Sequence, residues 1–338
     1  MRGSDRGRPV WPVRRLRHIG AKLAGAVTSQ VAVLVAAFLL FRVLPGDPVR
    51  AMTRGRPINA TQLANLRAEL GVDDPLPSQF ATYVGLLLHG DLGTSFQYRL
   101  PVADLIGARL GATVALVGTA TVLAAVTGLW SGAWSAWYAG GVVDRVGTAA
   151  AVTLWSVPTF WLGLVLLAVF GGGLGPLPGL FPTGGIETPG VSGFGPVALD
   201  RLWHLTLPCL TLTAVIHAQY LLVMRSSVLA VRDSAFLTTA RAKGLSDAAV
   251  RRRHAVPNAY LPSATLIALN LGGVVSGAVV VETVFSWPGL GSLFYEALTV
   301  PDLPLLQGLF LTITSAVIVM NLLADLSYPL LDPRVEVA

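Results

Sequence analysis

Side chains able to do chemistry are few in this sequence and widely scattered. Its 338 residues include one cysteine, Cys209, five histidines, and two lysines, Lys22 and Lys243. A single thiol makes no internal disulfide, and Cys209 lies inside an apolar run, as a small buried hydrophobe would. His, Cys and Glu residues nowhere cluster at metal-ligand spacing. No Gly-x-x-x-x-Gly-Lys-Ser/Thr occurs, and the Gly/Pro-rich run Gly171–Pro178 lacks the lysine and hydroxyl of a phosphate loop. A Gly-x-Ser-x-Gly nucleophile elbow is missing too. The sequence therefore reads as non-catalytic, with no ATP hydrolysis of its own. Two kinds of feature remain. One is a set of polar residues inside apolar runs: His217, Gln219, Asn270, Glu282, Asn321 and Asp325. The other is a polar, basic stretch, Asp233–Pro257, between two such runs.

The elements that must position these residues are membrane spans. Hydrophobic residues make up 53% of the chain and charged ones 12%, against about 25% charged in a soluble domain. Many segments are apolar all round, whereas a soluble helix keeps a polar face. Crossing the hydrocarbon takes about 20 residues. Six segments qualify: Ala21–Val43, Leu105–Trp130, Gly147–Phe170, Leu205–Leu229, Pro262–Val284 and Leu305–Leu330. The second continues toward Tyr138, and Trp130, Trp134 and Trp137 recur there at helical spacing, as an interfacial belt or as packing residues. The basic, then apolar N-terminus reads as a retained first span and not as a cleaved signal peptide.

Charge placement orients the spans. Residues 1–25 hold seven of the 24 Lys/Arg and residues 231–260 hold six more. Basic blocks beside apolar runs anchor at the cytoplasmic face next to anionic lipid, and a nucleic-acid groove would want aromatics interleaved with them. The net charge of +6 is thus topological and no nucleic-acid partner is expected. Six spans put both termini inside. The connection 171–203 holds only Arg201, and 285–303 holds no Lys or Arg, which suits the outer face. A long outer loop from Pro45 to Asp104 is nearly neutral, with short helices expected at Thr61–Leu70 and at Phe80–His89 before Gly90.

Within Asp233–Pro257 the pattern is two short helices and a turn. Asp233 or Ser234 can cap the first, and Gly244 is placed to end it in a left-handed conformation. Ser246 can cap the second with Asp247 in its first turn, and that helix is expected to end before Pro257.

This stretch resembles the cytoplasmic signature loop of binding-protein-dependent ABC importer permeases. That family's pattern is Glu-Ala-Ala, three residues, Gly, nine residues, Ile-x-Leu-Pro. Here Thr238-Thr239-Ala240 stands at the triplet, Gly244 at the glycine and His254-Ala255-Val256-Pro257 at the ending. Spacing is kept, while Thr238, Thr239 and His254 depart from the usual side chains. Four further segments resemble the dipeptide/oligopeptide branch, in order: Leu44-Pro45-Gly46-Asp47-Pro48, Gly90-Asp91-Leu92-Gly93-Thr94-Ser95, Phe285-Ser286-Trp287-Pro288-Gly289-Leu290-Gly291 and Leu331-Asp332-Pro333-Arg334.

The resemblance implies an all-α integral membrane protein with the six-helix type I importer fold. Its parts would be a basic tail (1–18), a first span with a long outer loop (19–108), the permease core (109–328) and a cytoplasmic C-terminal tail (329–338). It implies a permease subunit of the bacterial cytoplasmic membrane that carries di- or oligopeptides and binds no cofactor. ATP and Mg would sit on two partner ATPase subunits or domains. A second permease subunit and an extracytoplasmic binding protein would complete the complex. The helix from Ser246 to His254 would dock on an ATPase, with Arg251, Arg252, Arg253 and His254 either pairing with acidic groups there or anchoring to lipid. His217, Gln219, Asn270, Glu282 and Asn321 are candidates to line the path. For His217 a hydrogen bond to a neighbouring helix is the other reading, and Asp325 is expected to pair with Arg225 or another base. Nickel or glutathione importers of the same branch are the nearest alternative, and an ATP-independent channel or secondary transporter is one from a different class.

Overall fold

The computed structural model describes residues 11–43, 59, 61, 74–172, 179–272 and 278–331. These are helical nearly throughout. Helix α1 is Trp11–Val43, α2 Leu76–Leu88, α3 Val102–Trp137, α4 Val142–Ser156 and α5 Thr159–Leu166, which runs into a π-turn, Leu167–Gly171. Next come α6 (Phe194–Arg232), α7 (Ala235–Ala242) and α8 (Asp247–Val250), then a π-turn at Arg251–Ala255 leading into α9 (Val256–Ala259). The last four are α10 (Leu261–Gly272), α11 (Val279–Val284), α12 (Leu290–Thr299) and α13 (Leu303–Leu331).

Among the described residues four helices are long and apolar enough to cross a membrane: Ile19–Phe41 of α1, α3, α6, and Leu303–Leu326 of α13. A fifth span exists if α4 and α5 with its π-turn count as one. The expected straight third span, Gly147–Phe170, is in fact bent by 102°. Pro158 explains the break. It disfavours helix at Val157, whose ψ is 129°, and it lacks the N–H that would carry the ladder across. The expected fifth span, Pro262–Val284, is not one helix either: Ala278, at φ −116° and ψ 71°, is non-helical just ahead of α11, and 273–277 lie outside the described residues. Spans two and four are longer than their apolar runs suggested: α3 reaches Trp137 with Tyr138 as its cap, and α6 begins at Phe194. The connection 285–303 contains a helix, α12, that its lack of Lys and Arg did not disclose.

In the long loop, α2 ends at Leu88 and Gly90 turns left-handed at φ 77°, close to the expected stop. The expected helix beyond Thr61, the Leu44–Pro48 segment and residues 332–334 lie outside the described residues.

The centre of the fold is the pair α3 and α6. Contacts at Ala120 with Thr213, Gly128 with Tyr220 and Gly132 with Leu221 advance together, so the two helices run parallel. Gly128 and Gly132 let the backbones approach: a Cβ at Gly132 would stand 2.4 Å from the Leu221 carbonyl oxygen. Small residues four apart serve this purpose where lipid removes the hydrophobic drive for helix association. Nearer the N-terminal ends of both helices, Leu116, Val117 and Ala120 pack with Leu207, Leu212, Phe285 and Trp287. Helix α1 lies against α13, joined by Lys22 with Asp325 at 2.9 Å and by Gln30 donating to Ser315 at 2.9 Å.

Candidate functional site: the signature segment and its seat

The segment between α6 and α10 folds as its local sequence directs. Gly244 has φ 80°, its N–H donates to the Arg241 carbonyl at 2.9 Å, and the Leu245 N–H reaches the Ala240 carbonyl at 3.4 Å. These two bonds are a Schellman ending for α7. Ser246 takes the next cap, its hydroxyl accepting from the Ala249 N–H at 3.4 Å. Ser234 holds the cap position of α7 with extended backbone, but its hydroxyl donates back to the Val231 carbonyl, and Asp233 instead closes α6.

One expectation fails here. The second helix does not end before Pro257 but continues through the π-turn into Val256–Ala259. A proline needs no N–H partner in the first turn of a segment, and a π-turn ahead of it re-registers the ladder, so the chain passes without stopping.

The inner side of this segment is apolar. Leu237, Ala240, Val250, Ala255 and Ala259 are buried against Ala133, Ala136 and Trp137 of α3 and Met224 and Val228 of α6. Polar contacts then fasten it to the end of α3. The Trp137 indole N–H donates to Asp247 Oδ2 at 2.6 Å, and Arg241 Nε lies 3.6 Å from Oδ1. Arg251 lies over the Trp134 ring at 4.4 Å, and Arg241 stands 5.6 Å from that of Trp137. Two of the three tryptophans expected as a belt or as packing, Trp134 and Trp137, are thus the seat of the segment, while Trp130 is exposed. Thr238, Thr239, Gly244, Ser246, Asp247, Arg252 and Arg253 are exposed, with His254 half-buried. The outward face therefore carries Lys243, Arg252 and Arg253, which make no ion pair among the described residues, while Arg251 is turned inward.

Beside this seat lies a buried ion pair that the sequence reading missed. Asp144 of α4 is 4% exposed and receives Arg225 Nε and Nη2 at 2.6 and 2.8 Å. Ser135 of α3 and the Gly140 N–H donate to the same carboxylate at 2.7 and 2.9 Å. With the Thr148 hydroxyl at 3.3 Å, five donors satisfy a charge that would otherwise be costly at this depth. An acid near the start of the third apolar run was the available signal. Arg225 is therefore not the partner of Asp325, which pairs with Lys22.

Each candidate path residue has its own setting. His217 shares a hydrogen bond with Ser131 of α3 at 2.9 Å, and Asn270 donates to the Tyr220 hydroxyl at 3.0 Å. Gln219 is half-buried and Asn321 is exposed on α13. Glu282 is 0% exposed and faces no open surface of this chain. It accepts from the Thr113 hydroxyl at 2.9 Å and from the Ser292 N–H at 3.0 Å, in the first turn of α12. A carboxylate there answers the unsatisfied N–H groups of that helix start. The motifs at 90–95 and 285–291 are likewise anchors. Ser95 donates to Asp302 at 2.5 Å, Asp302 accepts the Leu305 N–H at the start of α13, and the Trp287 indole donates to the Ala112 carbonyl at 2.9 Å. Between the N-terminal halves of α3 and α6 lies an open, mostly apolar groove of about 1020 Å³, lined by Arg109, Ala112, Phe194, Arg201 and Trp287 among others.

Residues 108–337 match the family described as binding-protein-dependent transport system inner membrane component, and residues 15–117 match its N-terminal companion. The chain is 34% identical over 339 residues to the dipeptide transport system permease protein DppB of Escherichia coli K12, covering 95% of this chain and 99% of that protein. It is 34% identical over 321 residues to the glutathione transport system permease protein GsiC of Pectobacterium atrosepticum, and 35% to that of Salmonella typhi, with the same coverage.

Proposed function

The chain belongs to the family of binding-protein-dependent transport system inner membrane components, and on that premise we propose that it forms part of the import path for di- or oligopeptides. As a member it is a multi-pass inner-membrane permease subunit of an ABC importer of the peptide and glutathione family, not an enzyme. ATP is bound by separate ATPase subunits.

The observation that carries the proposal is the signature segment, seated on α3 and α6 with its other face exposed. In our reading this segment faces the cytoplasm with both termini, and the face bearing Thr238, Thr239, Arg252 and Arg253 docks on an ATPase. ATPase closure then moves the segment, and the spans alternate between inward-open and outward-open states. A second permease subunit, two ATPase domains and an extracytoplasmic binding protein complete the machine. The scattered polar residues His217, Gln219, Asn270 and Asn321 suit a wide path that holds a peptide backbone loosely, without one strong site. Glu282 acts instead as a structural cap. The short motifs at 90–95 and 285–291 follow the pattern of the peptide-permease branch, which nickel and glutathione permeases share.

The test is uptake by the purified complex across labelled dipeptides, longer peptides, glutathione and nickel. ATP-dependent uptake of dipeptides or longer peptides, stimulated by the binding protein, is the expected result. Uptake of glutathione or nickel alone would overturn the peptide assignment, and a chain that transports without any ATPase would overturn the importer reading.

A further inference from the structure

The seat of the signature segment is asymmetric. Helix α6 holds only the start of the segment directionally, through Ser234 at the Val231 carbonyl beside the chain link, and offers the rest of it Met224 and Val228, which are apolar contacts able to slide. The directional contacts of Asp247, Arg241 and Arg251 are instead made to two indoles of α3, Trp137 and Trp134. A hydrogen bond weakens steeply with misalignment, and a cation over a ring needs its place above the face, so such contacts hold position in a way that apolar ones do not. Helix α3 is also the better lever. It runs 36 residues without a proline, about 54 Å, whereas α6 carries Pro208 and α4 with α5 is broken at Pro158. Its far end, at Val102 and Ile106, packs with α12 and α13, and its N-terminal half lines the open groove.

We propose that Trp134 and Trp137 are positioning residues that transmit displacement of the ATPase-docked segment to α3, which carries it through the membrane to the groove. Arg241 and Arg251 belong to this latch, and Lys243, Arg252 and Arg253 are the cations left for the ATPase. The inference rests on the reading that this segment docks on an ATPase.

The experiment uses the whole complex in proteoliposomes, with its ATPase and binding protein. It reads uptake of a labelled dipeptide or labelled glutathione, whichever the unaltered complex imports, together with ATP hydrolysis. Trp137→Phe keeps the ring and removes the N–H, and Arg251→Gln removes the charge above Trp134. Both are expected to keep the ATPase bound and hydrolysing while import per ATP falls, about tenfold for Trp137→Phe, the change that one hydrogen bond to a charged group converts to, and about threefold for Arg251→Gln, which loses a cation over a ring. Arg251→Lys, which keeps a cation over the ring, should restore most of that ratio. Import and hydrolysis falling together, in proportion to assembled complex, would show a merely structural role and overturn the inference, as would an unchanged ratio. Failure of the unaltered chain to bind any ATPase would instead refute the functional reading beneath it.

Discussion

Gly244 offers the sharpest test of how the signature segment works, because its conformation and its surroundings can be separated. Its φ is 80°, yet nothing lies within 4 Å of where a Cβ would stand. Any cost of substitution within this chain therefore comes from the backbone, not from crowding. For a residue with a Cβ the left-handed region costs roughly 1–2 kcal/mol, highest for β-branched side chains and least for Asn. A residue that rejects this φ gives up the Gly244 to Arg241 and Leu245 to Ala240 hydrogen bonds, and Leu245 leaves the apolar seat. Asp247 then no longer meets Trp137. The cost corresponds to roughly a 5–30-fold loss in the population of the seated segment. Gly244→Asn should transport nearly as the unaltered chain does, Gly244→Ala somewhat less, and Gly244→Val should hydrolyse ATP with import reduced by about that factor. The assay is paired uptake and ATPase rates in proteoliposomes, with membrane insertion checked by yield. If Asn harms as much as Val, bulk facing the partner matters and backbone conformation does not. If Val is silent, the turn is dispensable, and the reasoning fails either way.

Three other outcomes follow from buried contacts. Asp144→Ala leaves the Arg225 guanidinium without its bidentate partner and should lower stability by about 3 kcal/mol, visible as a reduced Tm in detergent. Gly132→Ala drives a methyl into the Leu221 backbone and should cost about 2 kcal/mol or more, read as lower yield and Tm, whereas Gly107→Ala, with nothing within 4 Å, should be tolerated. Tyr98 has its phenol pushed up to about 12 by burial first and then by its bond to, and the charge of, Glu296. Its folded pKa is above the unfolded value near 10, so its contribution is whole below about pH 10 and is lost as pH rises toward 12. Tyr98→Phe should remove one late-titrating tyrosine from the tyrosinate absorbance curve and flatten that alkaline loss.

What the sequence by itself determined is local or cumulative. Long apolar runs require membrane helices because an unpaired backbone is costly in hydrocarbon, and this holds whatever the packing. The ending at Gly244 and the cap at Ser246 were equally legible, since each is decided within a few residues. Two local signals were present and not used: Pro158 inside an apolar run, and Gly128 with Gly132 four apart on one face. Tertiary structure alone decided which polar groups meet. Trp137 finds Asp247 across 110 positions, Glu282 finds Thr113 across 169, and Asp325 takes Lys22 while Arg225 takes Asp144. No periodicity encodes such pairs. They depend on which helix faces come together, and here the close approach of α3 and α6 at two glycines sets that arrangement.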